Sequence, residues 1–199
     1  MVADAPAADT NQQRDIDDAK DKALLANIVA GERAAFDQLY RRYYPRLSDF
    51  LGRLMSHKHE AVDEVLNDTM YVVWTKAGTF RHESRLSTWV FGIAYRKAMK
   101  HFEKESRHRF EQMPDEWSSS LSDTSDLAAT AQLRDSLHKA VEKLSPAQKS
   151  VVELTYEYGY SYAEVAEILG CPENTVKTRM FHARDRLRKI LETLARWEK

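Results

Sequence analysis

The sequence predicts an all-α protein: two small helical domains joined by a flexible linker, the second a four-helix unit built on a helix-turn-helix. Three observations carry this expectation. Only 6 glycines and 5 prolines occur among 199 residues while charged residues reach 31%, a balance that favours helix over sheet. Apolar residues recur at helical spacing on both sides of one aperiodic stretch. That stretch, residues 111–130, is rich in Ser and Asp, contains Pro114 and carries five acids with no Lys or Arg, which reads as an acidic flexible linker.

Residues 1–22, "MVADAPAADTNQQRDIDDAKDK", are acidic and alanine-rich and read as a disordered tail; they lack the basic-then-apolar order of a signal peptide. The first domain is expected over residues 23–110. In "ALLANIVAGERAAFDQLYRRYYPRLSDFLGRLM", Leu24, Ile28, Phe36, Leu39, Tyr40, Tyr43, Leu47, Phe50, Leu51 and Leu54 keep helical spacing, and the stretch reads as short packed helices broken near Gly31 and Pro45. "EAVDEVLNDTMYVVWTKAGTF" reads as an amphipathic helix ending near Gly78. Val62, Val65, Leu66, Met70, Val73 and Trp74 share one face, with Asp63, Glu64, Asn67 and Asp68 opposite or flanking. "FRHESRLSTWVFGIAYRKAMKHFEKESRHR" begins as a polar loop and turns helical, with Ser87 as N-cap. Trp89, Val90, Ile93, Ala94, Met99 and Phe102 form its apolar stripe, so Trp89 and Phe102 are read as core.

The second domain, residues 131–199, opens with "AQLRDSLHKAVEKL", where Leu133, Leu137, Ala140, Val141 and Leu144 repeat helically. "SPAQKSVVELTYEYG" places Ser145 as N-cap and Pro146 at the first helical position, and closes on Gly159. "SYAEVAEILG" sets Ser161 and Glu164 at capping-box spacing and stops at Gly170. The last helix keeps Val176, Met180, Ala183, Leu187, Ile190, Leu191 and Leu194 in register.

The order capped short helix, glycine turn, long basic helix is that of a helix-turn-helix. Ala166 is small where two helices cross closely, Gly170 permits the turn, and Val176, Met180 and Ala183 anchor the second helix on the first. Glu173, Asn174, Thr175, Lys177, Thr178 and Arg179 are left outward at its start, where side chains meet base edges and phosphates. The formal net charge of the whole chain is -1, so electrostatics rest on distribution. Residues 81–109 hold eight Lys/Arg against three glutamates, a local +5 with three histidines besides.

Cys171 is the only cysteine, which excludes an intramolecular disulfide and a thiolate zinc cluster, makes a reducing cytoplasm the expected compartment, and reads as a small buried residue. His57 and His59 in "SHKHE" form no HExxH motif and read as surface residues, so no metal is expected. There is no GxxxxGKS/T, no GxGxxG and no nucleophile elbow. Neither an enzyme nor a cofactor nor a small-molecule substrate is expected, and no apolar run approaches the roughly 20 residues of a membrane span.

These stretches resemble bacterial RNA polymerase sigma factors of the extracytoplasmic-function (ECF) group, of the sigma-70 family. "LSPAQKSVVELTYEYGYSYAEVAEILGCPENTVKTRMFHARDRLRKIL" is similar to their C-terminal domain nearly throughout. "AFDQLYRRYYPRLSDFLGRL", "VDEVLNDTMYVVWTKAGTF" and "FRHESRLSTWVFGIAYRKAMKHFEKESR" are similar, in order and spacing, to their core domain. The resemblance spans residues 24–194 and implies a promoter-specificity subunit. It places Asp63, Glu64, Asn67 and Asp68 against the clamp helices of the largest catalytic subunit of core RNA polymerase, with Asn67 where the pattern usually carries glutamine, and implies contact with the flap region. It assigns Arg81, His82, Arg85, Arg96, Lys97 and Lys100 to opening and reading the minus-ten element. It gives the minus-thirty-five element to Glu173, Asn174, Thr175, Lys177, Thr178 and Arg179, with His182 and Arg184. An anti-sigma factor that clamps the two domains is implied as a further partner. The alternative is a stand-alone two-domain helix-turn-helix regulator, which binds duplex DNA tightly without polymerase.

Overall fold

A computed structural model of the protein describes residues 6–55, 59–111 and 140–197, with side chains over 13–55, 60–107 and 140–192. The linker expected over 111–130, save its first residue, the start of the second domain at 131–139, and His57 lie outside the described residues. Among these residues every regular element is helical. The elements are α1 (Pro6–Val29), α2 (Arg33–Leu54), α3 (His59–Thr75), a 3-10 turn (Ala77–Thr79), α4 (Leu86–Glu111), α5 (Pro146–Tyr156), α6 (Tyr162–Leu169) and α7 (Glu173–Trp197). A helical turn at residues 140–142 precedes α5. The chain forms two compact units, the first built on residues up to Ala98 and the second on most of the chain beyond Ala98.

The core of the first unit follows the stripes the periodicity predicts in part: Leu25, Leu86 and Phe91 join it, while Leu24, Phe36, Tyr40, Trp74, Met99 and the expected core residues Trp89 and Phe102 are only half-buried. Leu25 and Ile28 of α1, Leu39, Tyr43, Leu47, Phe50 and Leu51 of α2, Val62, Leu66, Met70 and Val73 of α3, and Leu86, Val90, Phe91 and Ala94 of α4 are all buried. Phe50 meets Phe91 with ring centroids 5.3 Å apart, a tilted arrangement that adds about 1 kcal/mol to the burial of both rings.

Three local expectations are corrected. The tail is helical over its described part, because α1 begins at Pro6 and its acids find cations on other elements. Asp21 accepts hydrogen bonds from Arg42 Nε at 2.7 Å and from the Tyr43 hydroxyl at 2.8 Å, and Arg85 reaches Asp15 at 2.7 Å. Pro45 does not break the chain: α2 runs through it. Proline removes one backbone donor there, but the residue is solvent-exposed and the buried Tyr43 and Leu47 on either side hold the helix together. Ser87 is not the N-cap of α4, which begins one residue earlier; the amide of Leu86 donates instead to Asp18 Oδ1 of α1 at 2.6 Å. The amphipathic helix stops at Thr75, and the 3-10 turn covers the Gly78 region.

In the second unit the caps form as the sequence predicts. Ser145 and Gln148 make a reciprocal capping box with Pro146 at the first helical position. Ser161 Oγ accepts from the Glu164 amide at 3.3 Å while Glu164 Oε2 accepts from the Ser161 amide at 2.8 Å. Gly170 takes φ +63, the left-handed conformation that lets α6 end and the chain turn sharply into α7. Val151 and Leu154 of α5, Val165 of α6, and Val176, Met180 and Ala183 of α7 are buried, and α5 packs on α7.

Candidate nucleic-acid interface

Helix α7 presents the recognition candidates because its apolar residues are spent on one side. With Val176, Met180 and Ala183 inward, Glu173, Asn174, Lys177, Thr178, His182 and Arg184 are exposed, and Thr175 and Arg179 are half-buried. Local contacts already orient several of them. Lys177 pairs with Glu173 one turn back at 2.8 Å, and the Thr178 hydroxyl donates to the Asn174 carbonyl at 2.9 Å. Arg179 leans back across the turn, its Nη1 3.6 Å from Cys171 Sγ, and Cys171 is half-buried. Arg184 is held from α5: its Nε and Nη2 donate to the Tyr156 hydroxyl, and its guanidinium lies 5.7 Å from the Tyr156 ring centre. That phenol oxygen keeps the Arg184 guanidinium above its ordinary value. Further along, Asp185 binds both Arg188 at 2.8 Å and Lys189 at 2.7 Å, and those two cations hold its carboxyl below the usual range.

The minus-ten candidates occupy the loop before α4 and the helix itself. Arg81 and His82 are exposed, and His82 adopts φ +60. Its ring lies 4.7 Å from that of Phe80, which in turn sits 5.4 Å from the half-buried Trp89, so three rings form a cluster of tilted contacts at this loop. Phe102 is half-buried too. Arg85 is tied to Asp15. On α4, Arg96 and Lys100 are exposed. The Arg96 guanidinium folds back over Gly92, where an added Cβ would come within 3.2 Å of it, and partial burial lowers its proton affinity.

The acidic and amide residues of α3 are outward as expected. Asp63, Glu64, Asn67 and Asp68 are all exposed. Asn67 Oδ1 accepts from the Tyr40 hydroxyl at 3.3 Å, and burial pushes that phenol above its ordinary value, with Tyr44 and Asp63 adding to the rise. Beside them a groove of about 500 Å³ runs between α2 and α3, walled by Phe36, Tyr40, Met70, Tyr71 and Trp74. Asp68 does not stand apart from the minus-ten set: Lys97 Nζ binds its Oδ2 at 2.8 Å.

Sequence reasoning missed four residues. Asp15 and Asp18 fell in the supposed tail, although their regular acidic spacing was visible. Tyr156 and Phe181, 62% and 68% exposed, are large hydrophobic residues on the surface of the second unit. Phe181 had a signal in the pattern, since it falls off the stripe that places Met180 and Ala183 inside. Among the described residues no group of His, Cys, Asp or Glu is arranged to hold a metal ion, and no helix is long and apolar enough to cross a membrane.

The chain matches the family model for sigma-70 region 2 over residues 39–108 and that for sigma-70 region 4 over residues 134–187. It is 33% identical over 171 residues to an ECF RNA polymerase sigma factor, SigM, of Mycobacterium tuberculosis, covering 86% of this chain and 84% of that one. It is 29% identical over 181 residues to the ECF RNA polymerase sigma factor RpoE of Cereibacter sphaeroides, covering 88% and 97%. Among solved structures, the sigma factor RpoE of Bartonella quintana, crystallised with the anti-sigma factor NepR, is similar with a TM-score of 0.60 at 27% identity, covering 79% of this chain and 96% of that one.

Proposed function

This chain belongs to the ECF RNA polymerase sigma factors of the sigma-70 family, and we propose from the residues it exposes how it carries out that role. It docks on the clamp helices of core polymerase through α3, reads the minus-ten element with the loop and helix from Arg81 to Lys100, and reads the minus-thirty-five element with α7. The observation that carries the reading is the division of α7: an apolar face buried on its own unit, and an opposite face that exposes Asn174, Lys177, Thr178 and His182. Such a face meets base edges with amides and hydroxyls while cations meet phosphates.

The docking part is supported by charge and shape together. Asp63 and Glu64 suit a basic helix, and the aromatic groove beside Asn67 offers apolar surface next to those charges. The chain acts without chemistry of its own, as a cytoplasmic specificity subunit whose two domains span promoter elements through the linker at residues 111–130. An anti-sigma factor holds it inactive until a signal arrives, a partner suggested by the similar factor crystallised with one.

Reconstitution tests the reading. The purified full chain mixed with core RNA polymerase should start transcription at a subset of promoters from its own genome and at no others. Tight binding to duplex DNA without polymerase, with no promoter-specific transcript, would overturn it in favour of a stand-alone regulator. Purification of the chain from its native host should bring an anti-sigma factor with it; a free and constitutively active protein would remove that partner from the scheme.

A further inference from the structure

The acids of α1 reach the loop that carries the minus-ten candidates, and they do so at two depths. Asp18 is the inner one: its Oδ1 accepts from the Leu86 amide at 2.6 Å, its Oδ2 binds Lys22 at 2.8 Å, and 12% of its side chain meets solvent. Asp15, three residues earlier and so on the same side of the helix, is the outer one, 67% exposed. Its Oδ1 accepts from Arg85 Nη2 at 2.7 Å and from Arg85 Nε at 3.2 Å. The Arg85 side chain is itself only 22% exposed, and two N–H groups on one edge of its guanidinium already hold an anion.

That edge is the one a DNA phosphate would take. A guanidinium offers paired N–H donors to carboxylate and phosphate alike, and one edge serves a single anion at a time. The carboxylate in possession is not a loose one. Asp18 ties α1 to the first amide of α4, and Asp21 accepts from Arg42 at 2.7 Å and Tyr43 at 2.8 Å on α2. An anchored helix therefore delivers Asp15 to Arg85 at a high effective concentration. We propose that Asp15 is an autoinhibitory residue, an internal competitor that the phosphate backbone of the minus-ten strand must displace from Arg85. Asp18 stays in place as the cap when this happens, held by burial and the Leu86 amide, whereas Asp15 turns into the water it already meets. The competition weakens every strand alike, since phosphate contacts carry no sequence information, and it leaves selection to the base contacts of the loop. This inference rests on the reading of Arg85 as a minus-ten contact, and the experiment separates the two.

The test is binding of the holoenzyme, formed from the full chain and core polymerase, to a fluorescent single-stranded oligonucleotide with the non-template minus-ten sequence of a promoter it transcribes. Asp15→Asn removes the charge and keeps the shape. It should bind the strand about threefold more tightly, the scale open to a partly exposed ion pair. In an Arg85→Ala background the same substitution should change nothing. Asp17→Asn, which removes a charge that faces Arg42 at 3.5 Å, should bind as the wild type does. If Arg85→Ala alone weakens strand binding while Asp15→Asn does not tighten it, there is no competitor and the reading of the loop stands. A gain that survives Arg85→Ala, or that Asp17→Asn reproduces, would also overturn the proposal, because the effect would then be one of net charge and not of competition for Arg85. If Arg85→Ala alone leaves strand binding unchanged, Arg85 is no minus-ten contact and both fall.

Discussion

Replacing Asp18 with alanine should loosen the start of α4 and, with it, the loop that carries Arg81, His82 and Arg85. The first amides of any helix lack partners within it, and at α4 the amide of the fully buried Leu86 finds its acceptor on another helix, Asp18 Oδ1 at 2.6 Å. The Asp18 side chain is only 12% exposed, and its other oxygen binds Lys22 at 2.8 Å. Losing a capping acceptor costs about 1 kcal/mol, removing a negative charge from a helix N-terminus adds ~0.5 kcal/mol, and the Lys22 pair, partly exposed and four residues away, contributes ~0.4 kcal/mol at most. The sum is roughly 2 kcal/mol, which corresponds to about thirtyfold faster hydrogen exchange for the Leu86 amide if it opens locally. Asp18→Asn keeps an acceptor and loses the charge, so it should fall about midway. Exchange at the first turn of α4, read by NMR beside thermal unfolding of the full chain, measures both. With core polymerase, permanganate reactivity of the minus-ten thymines should drop in the alanine variant while binding to the minus-thirty-five duplex stays unchanged. Leu86 exchange within twofold of the wild type would refute the argument that Asp18 caps this helix.

Two further outcomes rest on backbone and burial. His82 stands at φ +60, a conformation that glycine accepts freely and β-branched residues resist. His82→Val should therefore destabilise the first unit by about 1–2 kcal/mol, whereas His82→Gly should be near neutral, its relief of strain offset by loss of the ring against Phe80; equal urea midpoints for the two variants would contradict this. Asp21 is buried, and burial raises its carboxyl above the ordinary aspartate range despite the Tyr43 hydroxyl, Arg42 and the nearby charge of Arg46. The folded state then holds that proton more tightly than the unfolded chain, so this group's contribution is greatest below the ordinary value and is lost as pH rises through the raised folded value. Asp21→Asn, neutral and still an acceptor for Tyr43, should flatten that part of the stability profile, on the alkaline side of the ordinary aspartate value; identical slopes for the two proteins there would show that the carboxyl does not titrate in that range.

What the sequence made legible was what is decided within a few residues. The N-cap at Ser145, the capping box at Ser161, the glycine turn at Gly170 and the stripe through Val176, Met180 and Ala183 depend on neighbours three to eight positions away, and each appears in the structure as read. The assignments that failed depended on partners far along the chain. Nothing within residues 1–22 stabilises a helix strongly, so an acidic, alanine-rich start reads as a tail; it is Arg42, Tyr43, Arg85 and the Leu86 amide, 21 to 70 residues later, that engage its acids. Ser87 failed as the cap of α4 for the same reason: the helix starts one residue earlier, where Asp18 of α1 accepts from the Leu86 amide. Pro45 was misread for a related reason: a local breaker is outweighed when buried residues on both sides pin the helix to its unit.

The candidate site divides along the same line. Which residue types face outward followed from periodicity, and Glu173, Asn174, Lys177, Thr178, Asp63 and Glu64 are exposed as expected. Which of them are already engaged did not follow, because engagement depends on the fold around them. Lys97 and Asp68, assigned from sequence to two different partners, bind each other, and Arg184 is held by a tyrosine 28 residues earlier. Any partner that takes one of these groups must therefore replace the contact it already has. An exposed ion pair is worth ~0.2–1 kcal/mol, so a phosphate displaces Asp68 from Lys97 at small cost, and the pair orients the lysine more than it withholds it. The Asp15 contact with Arg85 differs in kind, since it belongs to the same cluster of α1 acids that caps α4. A substitution at Asp15 and one at Asp18 should then not behave independently, whereas substitutions at Lys97 and Arg184, in separate units, should add.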